Sequence, residues 1–333
     1  MAKVEPYTEH WGREGFYGDG INVLRAQHVP DFLRVSGPHA PHRFNIADVN
    51  LADRADAGAL PTPVMLSRTG AQLCVSVRER PMPFVIANVE ADEVHFIQQG
   101  EVRFATAYGN ITGGAGDFVF IPRAVPYRIE TERGPTLSLI VETPGATKFA
   151  AAPQFEPQIE SAVIESRPAQ SVETTVLLKS FDGVTRYVKP YDPFAMVSVS
   201  GGNNPVWKIN LKNIPVNEAG HPRQFAASPN NDELFYTLSA RRRRRPPMHY
   251  NADYDEMIFY FTGPGAYGAV KEPGTLTWVP KGVPHHGPTE DVPEGYLAWM
   301  LESRPTLRLS DAGQKVAQLM ETDLYGPHPS GRR

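Results

Sequence analysis

Apolar residues recur at alternate positions in short segments of this chain, and this spacing predicts β-strands. One segment carries Val94 and Phe96, and a later segment carries Met257, Phe259 and Phe261. Residues two apart on a strand share one face, so each segment presents an apolar face suited to a half-buried sheet. The chain is therefore expected to fold mainly as short strands joined by turns.

A further strand is predicted from Thr174 to Leu178, and one helix is predicted near the end of the chain. Ser310 is suited to cap that helix, because its side-chain oxygen can accept from a first-turn amide. Apolar residues then follow at helical spacing, at Val316, Leu319, Met320 and Leu324.

An internal repeat organises the chain. Residues 116–127, GDFVFIPRAVPY, match residues 274–285, GTLTWVPKGVPH, at a glycine, two prolines and a valine. Upstream, Asn88-x4-Glu93 matches Asn251-x4-Glu256, and a glycine follows each glutamate after seven residues. Self-similarity of this kind indicates a duplicated structural unit. We predict an all-β fold of two duplicated jelly-roll barrels with a short C-terminal helix.

The repeat also suggests how the chain is divided. We expect an N-terminal segment (1–69), a first barrel without metal ligands (70–150), connecting strands and loops (151–234), and a second barrel with the metal site and the helix (235–333).

The composition supports an all-β fold and excludes several classes of protein. The 333 residues include 32 prolines and 28 glycines, which disfavour long helices and coiled coils. A net charge of −4 gives no general field for nucleic acid or an anionic membrane. One cysteine, Cys74, excludes an internal disulfide framework and fits a reducing compartment. With no apolar signal segment and no long apolar run, a cytoplasmic protein without membrane contact is expected.

Metal-binding residue types cluster in the second repeat. The chain carries His249-x-Asn251-x4-Glu256, and then His285-His286 after Pro280-x-Gly282. His249 and Asn251 stand two apart and face one side of a strand, whereas Glu256 needs a bend or bulge to reach that side. Two imidazoles and a carboxylate on one face form the arrangement of non-haem Fe(II) sites. We predict metal ligation by His249, Asn251, Glu256 and His285.

The first repeat keeps the same frame without the ligands. Ile86, Asn88 and Tyr127 stand at the positions of the second repeat's His249, Asn251 and last histidine, and only Glu93 remains. One metal site is therefore expected, in the second barrel.

These motifs resemble those of the cupin superfamily, whose two motifs H-x-H-x(3,4)-E and P-x-G-x2-H supply metal ligands. The resemblance implies a bicupin. The segments PPMHYNADYDE (246–256), HGP (286–288) and FYTLSA (235–240) are similar to those of the homogentisate dioxygenase group. The opening YTEHWGREGF (7–16) and the chain length resemble the large subunit of hydroquinone 1,2-dioxygenase.

The resemblance implies a chemistry and its partners. A relative of that group would use Fe(II) and O2 to cleave hydroquinone or a substituted hydroquinone to a 4-hydroxymuconic semialdehyde. It would work as a hetero-oligomer with a small subunit. The alternatives are a homogentisate-type or other metal cupin enzyme, and a non-enzymatic cupin that binds a small ligand or serves as a partner subunit.

Three points stay open at this level. The HGP match favours His286 as the last ligand, whereas the repeat and the motif spacing favour His285, which we prefer. The unliganded member of this pair is one candidate for the catalytic base, because the histidine of the homogentisate group is absent here and His221 is the nearest. Asn251 either binds the metal directly or acts through a hydrogen bond.

Three further groups of residues, one aromatic, one arginine-rich and one a histidine pair, have simpler interpretations. Tyr250, Tyr254 and Trp278 are candidates to wall the substrate ring, although for each one taken singly a place in the core is the stronger expectation. The run Arg241 to Arg245 is expected to be a solvated loop or subunit contact, and His39 and His42 a loop pair rather than ligands.

Overall fold

The computed structural model describes residues 7–15, 17–27, 32–131, 134–149, 158–215, 222–238, 247–286 and 293–331. Strands dominate these ranges. The described helices are short, and none has the length and apolar composition needed to cross a bilayer.

The described residues of the first half of the chain form strands β1 to β13 and the first short helices. They are β1 (Tyr7–Glu14), β2 (Tyr17–Arg25), β3 (His42–Asn45), a 3-10 helix (Ile46–Asp48), α1 (Ala52–Ala55), β4 (Thr62–Ser67), β5 (Gln72–Arg78), β6 (Val85–Asn88), β7 (Asp92–Gln99), β8 (Val102–Thr106), β9 (Gly109–Gly113), β10 (Asp117–Ile121), β11 (Tyr127–Glu130), β12 (Thr136–Thr143) and β13 (Lys148–Phe149).

The second half supplies the remaining elements. They are β14 (Glu160–Ser161), β15 (Thr174–Ser180), β16 (Gly183–Lys189), β17 (Trp207–Asn210), a 3-10 helix (Leu211–Asn213), β18 (Arg223–Ala227), β19 (Glu233–Leu238), β20 (Met248–Asn251), β21 (Asp255–Thr262), β22 (Thr275–Val279), β23 (Leu297–Ser303), β24 (Leu307–Leu309), α2 (Asp311–Val316), β25 (Gln318–Leu319) and a 3-10 helix (Pro329–Gly331).

These strands build two barrels of similar design. In barrel 1 a sheet of order β14-β17-β10-β7-β12-β5-β4-β24 faces a sheet of order β16-β15-β6-β11-β8-β9. In barrel 2 a sheet of order β13-β18-β19-β23-β21-β22-β3-β25 faces a smaller sheet of order β2-β1-β20. The predicted all-β duplication is confirmed, and so is the strand that begins at Thr174.

The barrels exchange strands. The early strand β3 pairs with β22 of barrel 2, and the late strand β24 pairs with β4 of barrel 1. The connecting region also contributes to both barrels, because β17 pairs with β10 and β18 pairs with β19. The sheets therefore cross the segment boundaries suggested by the repeat alone.

A hairpin extends each barrel in the same way. The hairpin β15–β16 lies parallel to β6 of barrel 1, with Lys179 opposite Asn88. The hairpin β1–β2 lies parallel to β20 of barrel 2, with Gly12 opposite Asn251. The two hairpins come from different parts of the chain but occupy matching places.

The main core lies between the barrels. Alternate residues of β7 and β21 point into it, and Phe96 packs against Phe259 with ring centroids 5.5 Å apart. Phe118 and Trp299 meet there edge to face at 5.3 Å. The predicted apolar faces of the two segments are thus buried against each other, and the residues between them point into the barrel interiors.

The C-terminal helix is shorter than the apolar spacing indicated. Ser310 caps α2 as expected, since its side chain accepts from the Gly313 amide at 3.1 Å. However, α2 ends at Val316, and Leu319 pairs with His42 in a short strand. The predicted helical positions of Leu319, Met320 and Leu324 are wrong because this sheet pairing satisfies the backbone instead.

Candidate metal centre

Three of the predicted ligands come together in barrel 2. His249, Glu256 and His285 are buried, and one potential ligand atom from each lies within 4.8 Å of the others. His285 Nε2 is 3.5 Å from Glu256 Oε2. The imidazole rings of the two histidines have centroids 4.3 Å apart. This is the only such cluster of histidine, cysteine and acidic groups among the described residues.

The strands explain how these side chains converge. The chain leaves β20 after Asn251 and turns through residues 252–254 before β21 begins. That bend brings Glu256 to the face that His249 occupies, as the odd spacing required. His249 and His285 are joined by two backbone hydrogen bonds of 2.9 and 2.8 Å, which hold their rings side by side.

Backbone carbonyls orient both imidazoles. His249 Nδ1 lies 3.3 Å from the Pro247 carbonyl oxygen, and His285 Nδ1 lies 3.0 Å from that of Val283. A carbonyl oxygen only accepts, so each Nδ1 carries a proton, and each ring in its neutral form presents the lone pair of Nε2. Such an outer hydrogen bond is the usual way a metal-binding histidine is fixed.

The repeat identifies which of the two adjacent histidines belongs to the cluster. Tyr127 pairs with Ile86 in barrel 1 as His285 pairs with His249 in barrel 2. The preceding turns also match, because the Ala124 amide donates to the Asn88 carbonyl and the Gly282 amide to that of Asn251. The residue at the end of P-x-G-x2-H is therefore the one that faces inward.

His286 follows on the opposite side of the chain. It is buried, its amide donates to the Thr322 carbonyl, and its own carbonyl accepts from the Tyr325 hydroxyl at 2.5 Å. The structure thus brings His285 into the cluster and leaves His286 beside it.

Asn251 shares the face of His249 and is almost fully buried. Neither its amide oxygen nor its amide nitrogen has a hydrogen-bond partner among the described residues. Buried amides are rarely left unpaired, because desolvation costs about 1–3 kcal/mol. The oxygen lies against the turn of the β1–β2 hairpin, where a Cβ on Gly15 would be 3.0 Å away.

Glu302 is a residue that the motifs did not reveal. It lies on β23 directly opposite Glu256 and is 5 % exposed. Its oxygen Oε2 has no hydrogen-bond partner in the described part of the chain. A sequence signal did exist, since Val141-Glu142-Thr143 matches Leu301-Glu302-Ser303 at the end of each repeat.

Burial and mutual charge shift the pKa values of this cluster. Burial, and then the charge of Glu256, raises the pKa of Glu302 to about 8. Burial lowers the pKa of His249 well below its ordinary value, and His285 adds to that effect. Burial also opposes protonation of His285, but the charge of Glu256 raises its pKa overall.

The similarity of this chain to known proteins is low. No family model matches the sequence. Homogentisate 1,2-dioxygenase of Rhodopseudomonas palustris (strain BisA53) is 29 % identical over 147 residues, which is 40 % of this chain and 32 % of the relative. The same enzyme of Bradyrhizobium diazoefficiens is 23 % identical over 279 residues, covering 70 % of this chain and 60 % of the relative. The chain thus spans at most about three fifths of these curated relatives.

Among solved structures, a cupin 2 conserved barrel domain protein from Leptotrichia buccalis aligns with a TM-score of 0.44 and 12 % identity. That alignment covers 79 % of this chain and 99 % of the other. Oxalate decarboxylase from Bacillus subtilis aligns with a TM-score of 0.42 and 12 % identity, covering 83 % of this chain and 78 % of the other.

The duplicated barrels, with the same motif frame and the same turn in each, decide the fold. The chain is a bicupin. Its second barrel holds the candidate metal centre. At the matching positions of the first barrel, the side chains bond one another instead.

In the first cupin barrel, neighbouring side chains pair with both buried carboxyl groups. The Glu93 carboxylate accepts from Asn88, from Tyr127 and from His95, at 3.1, 2.6 and 3.1 Å. Glu142, the counterpart of Glu302, accepts from Asn88 at 3.1 Å and from the Lys179 ammonium. Here an ammonium and hydrogen bonds satisfy the two carboxyl groups.

The donor set of the second cupin barrel fits a divalent metal. Two neutral imidazoles and one carboxylate suit Fe(II) and several other divalent ions. Both Asn251 amide atoms lack hydrogen-bond partners among the described residues, and His285 Nε2 lies 3.5 Å from Glu256 Oε2, so the polar groups that a divalent ion would require face one another. His249, Glu256 and His285 are the residues that would hold the metal.

The predicted aromatic wall is not assembled here. Trp278 lies opposite Met257, and both point into the core between the barrels rather than toward Glu256. Burial raises the pKa of Tyr254 to about 12, and its hydroxyl donates to the Asn231 carbonyl. Tyr250 is partly exposed and, one residue from His249, lies on the other face of β20.

The remaining sequence candidates are accounted for as follows. His39 bonds the Lys281 carbonyl and His42 the Ala40 carbonyl, so both are engaged outside the cluster. Cys74 is buried beside Glu142, and burial raises the pKa of its thiol. The arginine run, His221, and residues 239–240 and 287–288 lie outside the described residues.

Proposed function

We propose that this bicupin is an Fe(II)-dependent ring-cleaving dioxygenase acting on hydroquinone or a substituted hydroquinone, with a 4-hydroxymuconic semialdehyde as product. The observation that carries the proposal is the buried cluster of His249, Glu256 and His285 with unpaired polar groups around it. The similarity to homogentisate 1,2-dioxygenases supports a dioxygenase among metal cupin enzymes.

The chain's own residues would perform three tasks around the metal. His249, Glu256 and His285 would hold the metal, and Asn251 would add an amide oxygen. When bound, Fe(II) would supply the redox and Lewis-acid chemistry that lets a phenol react with O2. The apolar interior of barrel 2, which includes Leu234, Ile258 and Met300, would keep water from the reacting groups.

His286 is our proposed acceptor for the phenol proton. It is buried, and it lies close enough to His249 for its charge to contribute to the lowered pKa of that residue. A base near the cluster would favour the phenolate, which binds a metal cation better than the phenol does.

An uncharged diol suits the site better than a substrate bearing a carboxylate. Glu302 places a second carboxyl group beside Glu256, and an anionic substituent would approach both. Homogentisate carries such a substituent, and it is the second candidate because the curated relatives bear its name.

We further propose that the chain is the large subunit of a two-subunit enzyme in the cytoplasm. Support comes from the resemblance of residues 7–16 to the start of such subunits and from the single cysteine. A polypeptide of about half this size is expected to co-purify.

Oxygen uptake tests the proposal. The protein is loaded anaerobically with Fe(II), its iron content is measured, and O2 consumption is followed with hydroquinone, with homogentisate and with neither, each with and without the small subunit. Uptake with hydroquinone is expected, and Glu256→Ala should abolish it. Bound iron without uptake under any condition would refute the dioxygenase, and uptake with homogentisate alone would select the second candidate. A protein that takes up no metal would indicate a non-enzymatic cupin.

A further inference from the structure

We propose that Glu302 is a further group of the metal centre, which holds the cation through its charge beside the ligand Glu256. This inference rests on the proposed metal-dependent function and adds a positioning residue to its site.

The register of the sheet places Glu302 next to the cluster. Glu256 on β21 and Glu302 on β23 are direct antiparallel partners, so their side chains leave the same face. Direct partners have Cβ atoms about 5 Å apart. Glu302 is also near Asn251, because a Cβ on Gly15 would lie 3.0 Å from the Asn251 oxygen and 3.6 Å from Glu302 Oε1.

Glu302 lacks the partners that a buried carboxyl group requires. Tyr236 hydrogen-bonds the carboxyl group, but Oε2 has no partner among the described residues. Burying a carboxylate without a compensating cation or hydrogen bonds is costly, so such groups are normally paired or bind metals. The Glu302 carboxyl group therefore retains an oxygen without a hydrogen bond, on the sheet face from which Glu256 also projects.

Barrel 1 shows what the missing partner is. There Glu142 lies opposite Glu93 as Glu302 lies opposite Glu256, and the Lys179 ammonium neutralises Glu142. Lys179 comes from the hairpin that runs parallel to β6, opposite Asn88.

Barrel 2 has no side chain at the matching hairpin position. Gly12 stands opposite Asn251, where Lys179 stands opposite Asn88. A Cβ on Gly12 would be 1.8 Å from the Gly15 carbonyl oxygen, so the backbone leaves no room for one. The same carboxyl group is thus present in both barrels, and among the residues that the structure describes only barrel 1 places a lysine against it. A divalent metal ion is the cation that Glu302 would face.

Paired substitutions test this role with Co(II) as the probe. Co(II) binding to the apoprotein is titrated by its visible absorption for the wild type, Glu302→Gln and Glu142→Gln, and urea unfolding of each apoprotein is measured. Glu302→Gln should raise the Kd for Co(II) by about 10–100-fold, the usual effect of losing an outer partner. Its apoprotein should unfold at the same or a higher urea concentration, because an unpaired buried carboxyl group is removed.

The matched variant should behave in the opposite way. Glu142→Gln removes the partner of Lys179, so its apoprotein should unfold at lower urea while its Kd for Co(II) stays within twofold of the wild type. The proposal is overturned if Glu302→Gln binds Co(II) as the wild type does, or if its apoprotein is destabilised as much as that of Glu142→Gln. A wild type that binds no Co(II) would instead refute the metal-dependent function itself.

Discussion

The two barrels of this chain share a frame and differ in what fills it. Barrel 1 satisfies its buried carboxyl groups with Lys179, Tyr127 and a histidine. In the described part of barrel 2, by contrast, Glu302 Oε2 and both Asn251 amide atoms have no hydrogen-bond partner. The difference shows that the cupin frame alone does not make a metal site. A cupin barrel that binds a metal needs the ligand side chains. It must also lack the neighbouring side chains that would otherwise hydrogen-bond or ion-pair with those ligands.

The largest expected contrast comes from the paired glutamates. Glu256→Ala should abolish metal retention and change the free energy of unfolding of the apoprotein by less than about 1 kcal/mol, since few contacts are lost. Glu93→Ala should leave metal retention intact and cost about 3–5 kcal/mol, because it strands the buried groups that donate to it. Metal analysis and urea unfolding check both, and equal metal loss in the two variants would break the comparison.

Lys179 gives the next largest effect. Burial opposes its charge, but Glu142 raises its pKa above the ordinary 10.5. A raised lysine pKa stabilises the fold below pH 10.5, and that contribution is lost as the pH rises through the higher folded value. Lys179→Met should cost about 2–3 kcal/mol at neutral pH, because the ammonium is partly exposed and a fully buried pair would cost more.

Two measurements check the Lys179 prediction. Urea unfolding should give the loss at neutral pH, and the wild type should lose its advantage over the variant above pH 10.5. Metal content should not change, and a loss of metal in Lys179→Met would show that the barrels are coupled.

Asn88 of barrel 1 and Asn251 of barrel 2 occupy matching positions, and their substitution should have different effects. Asn88→Ala removes donors to Glu93 and Glu142 and should cost about 1–3 kcal/mol of unfolding free energy. Asn251→Ala removes a side chain without hydrogen bonds and should cost less than about 1 kcal/mol, while it weakens metal binding by about tenfold. Calorimetric metal titration and urea unfolding distinguish the two, and an unchanged metal Kd would exclude Asn251 from the site.

The duplicated turn predicts the smallest effects, with opposite signs. Ala124 and Gly282 hold the same position with φ of 62° and 78°, a left-handed conformation that costs a residue with a Cβ about 1 kcal/mol. Ala124→Gly should therefore stabilise the fold by about that amount and Gly282→Ala should destabilise it. Thermal unfolding of the apoproteins tests this, and the same sign in both variants would contradict the equivalence of the turns.

Much of the difference between the two barrels could be predicted from the sequence. Alternating apolar positions and the repeat predicted two barrels, and the spacing of His249, Glu256 and His285 predicted three side chains that the structure brings together. These features depend on local periodicity and on residues close along the chain, which pattern analysis captures.

Long-range pairing was beyond the reach of the sequence. The placement of β1 beside β20, and of Lys179 beside Glu142, joins residues far apart in the chain. Trp278 stood near the ligands in sequence, but the pleat turned it into the core between the barrels. Glu302 lies outside both metal-binding motifs. Only an extension of the repeat to its last strand, where Glu142 matches Glu302, indicates its position.

We expect the chain to hold one metal ion, in barrel 2. Anomalous diffraction from crystals of the Co(II)-loaded protein tests this expectation most directly. A single strong peak per chain should appear, bounded by His249, Glu256 and His285. A peak between Glu93 and Glu142 in barrel 1, or no peak in either barrel, would contradict it.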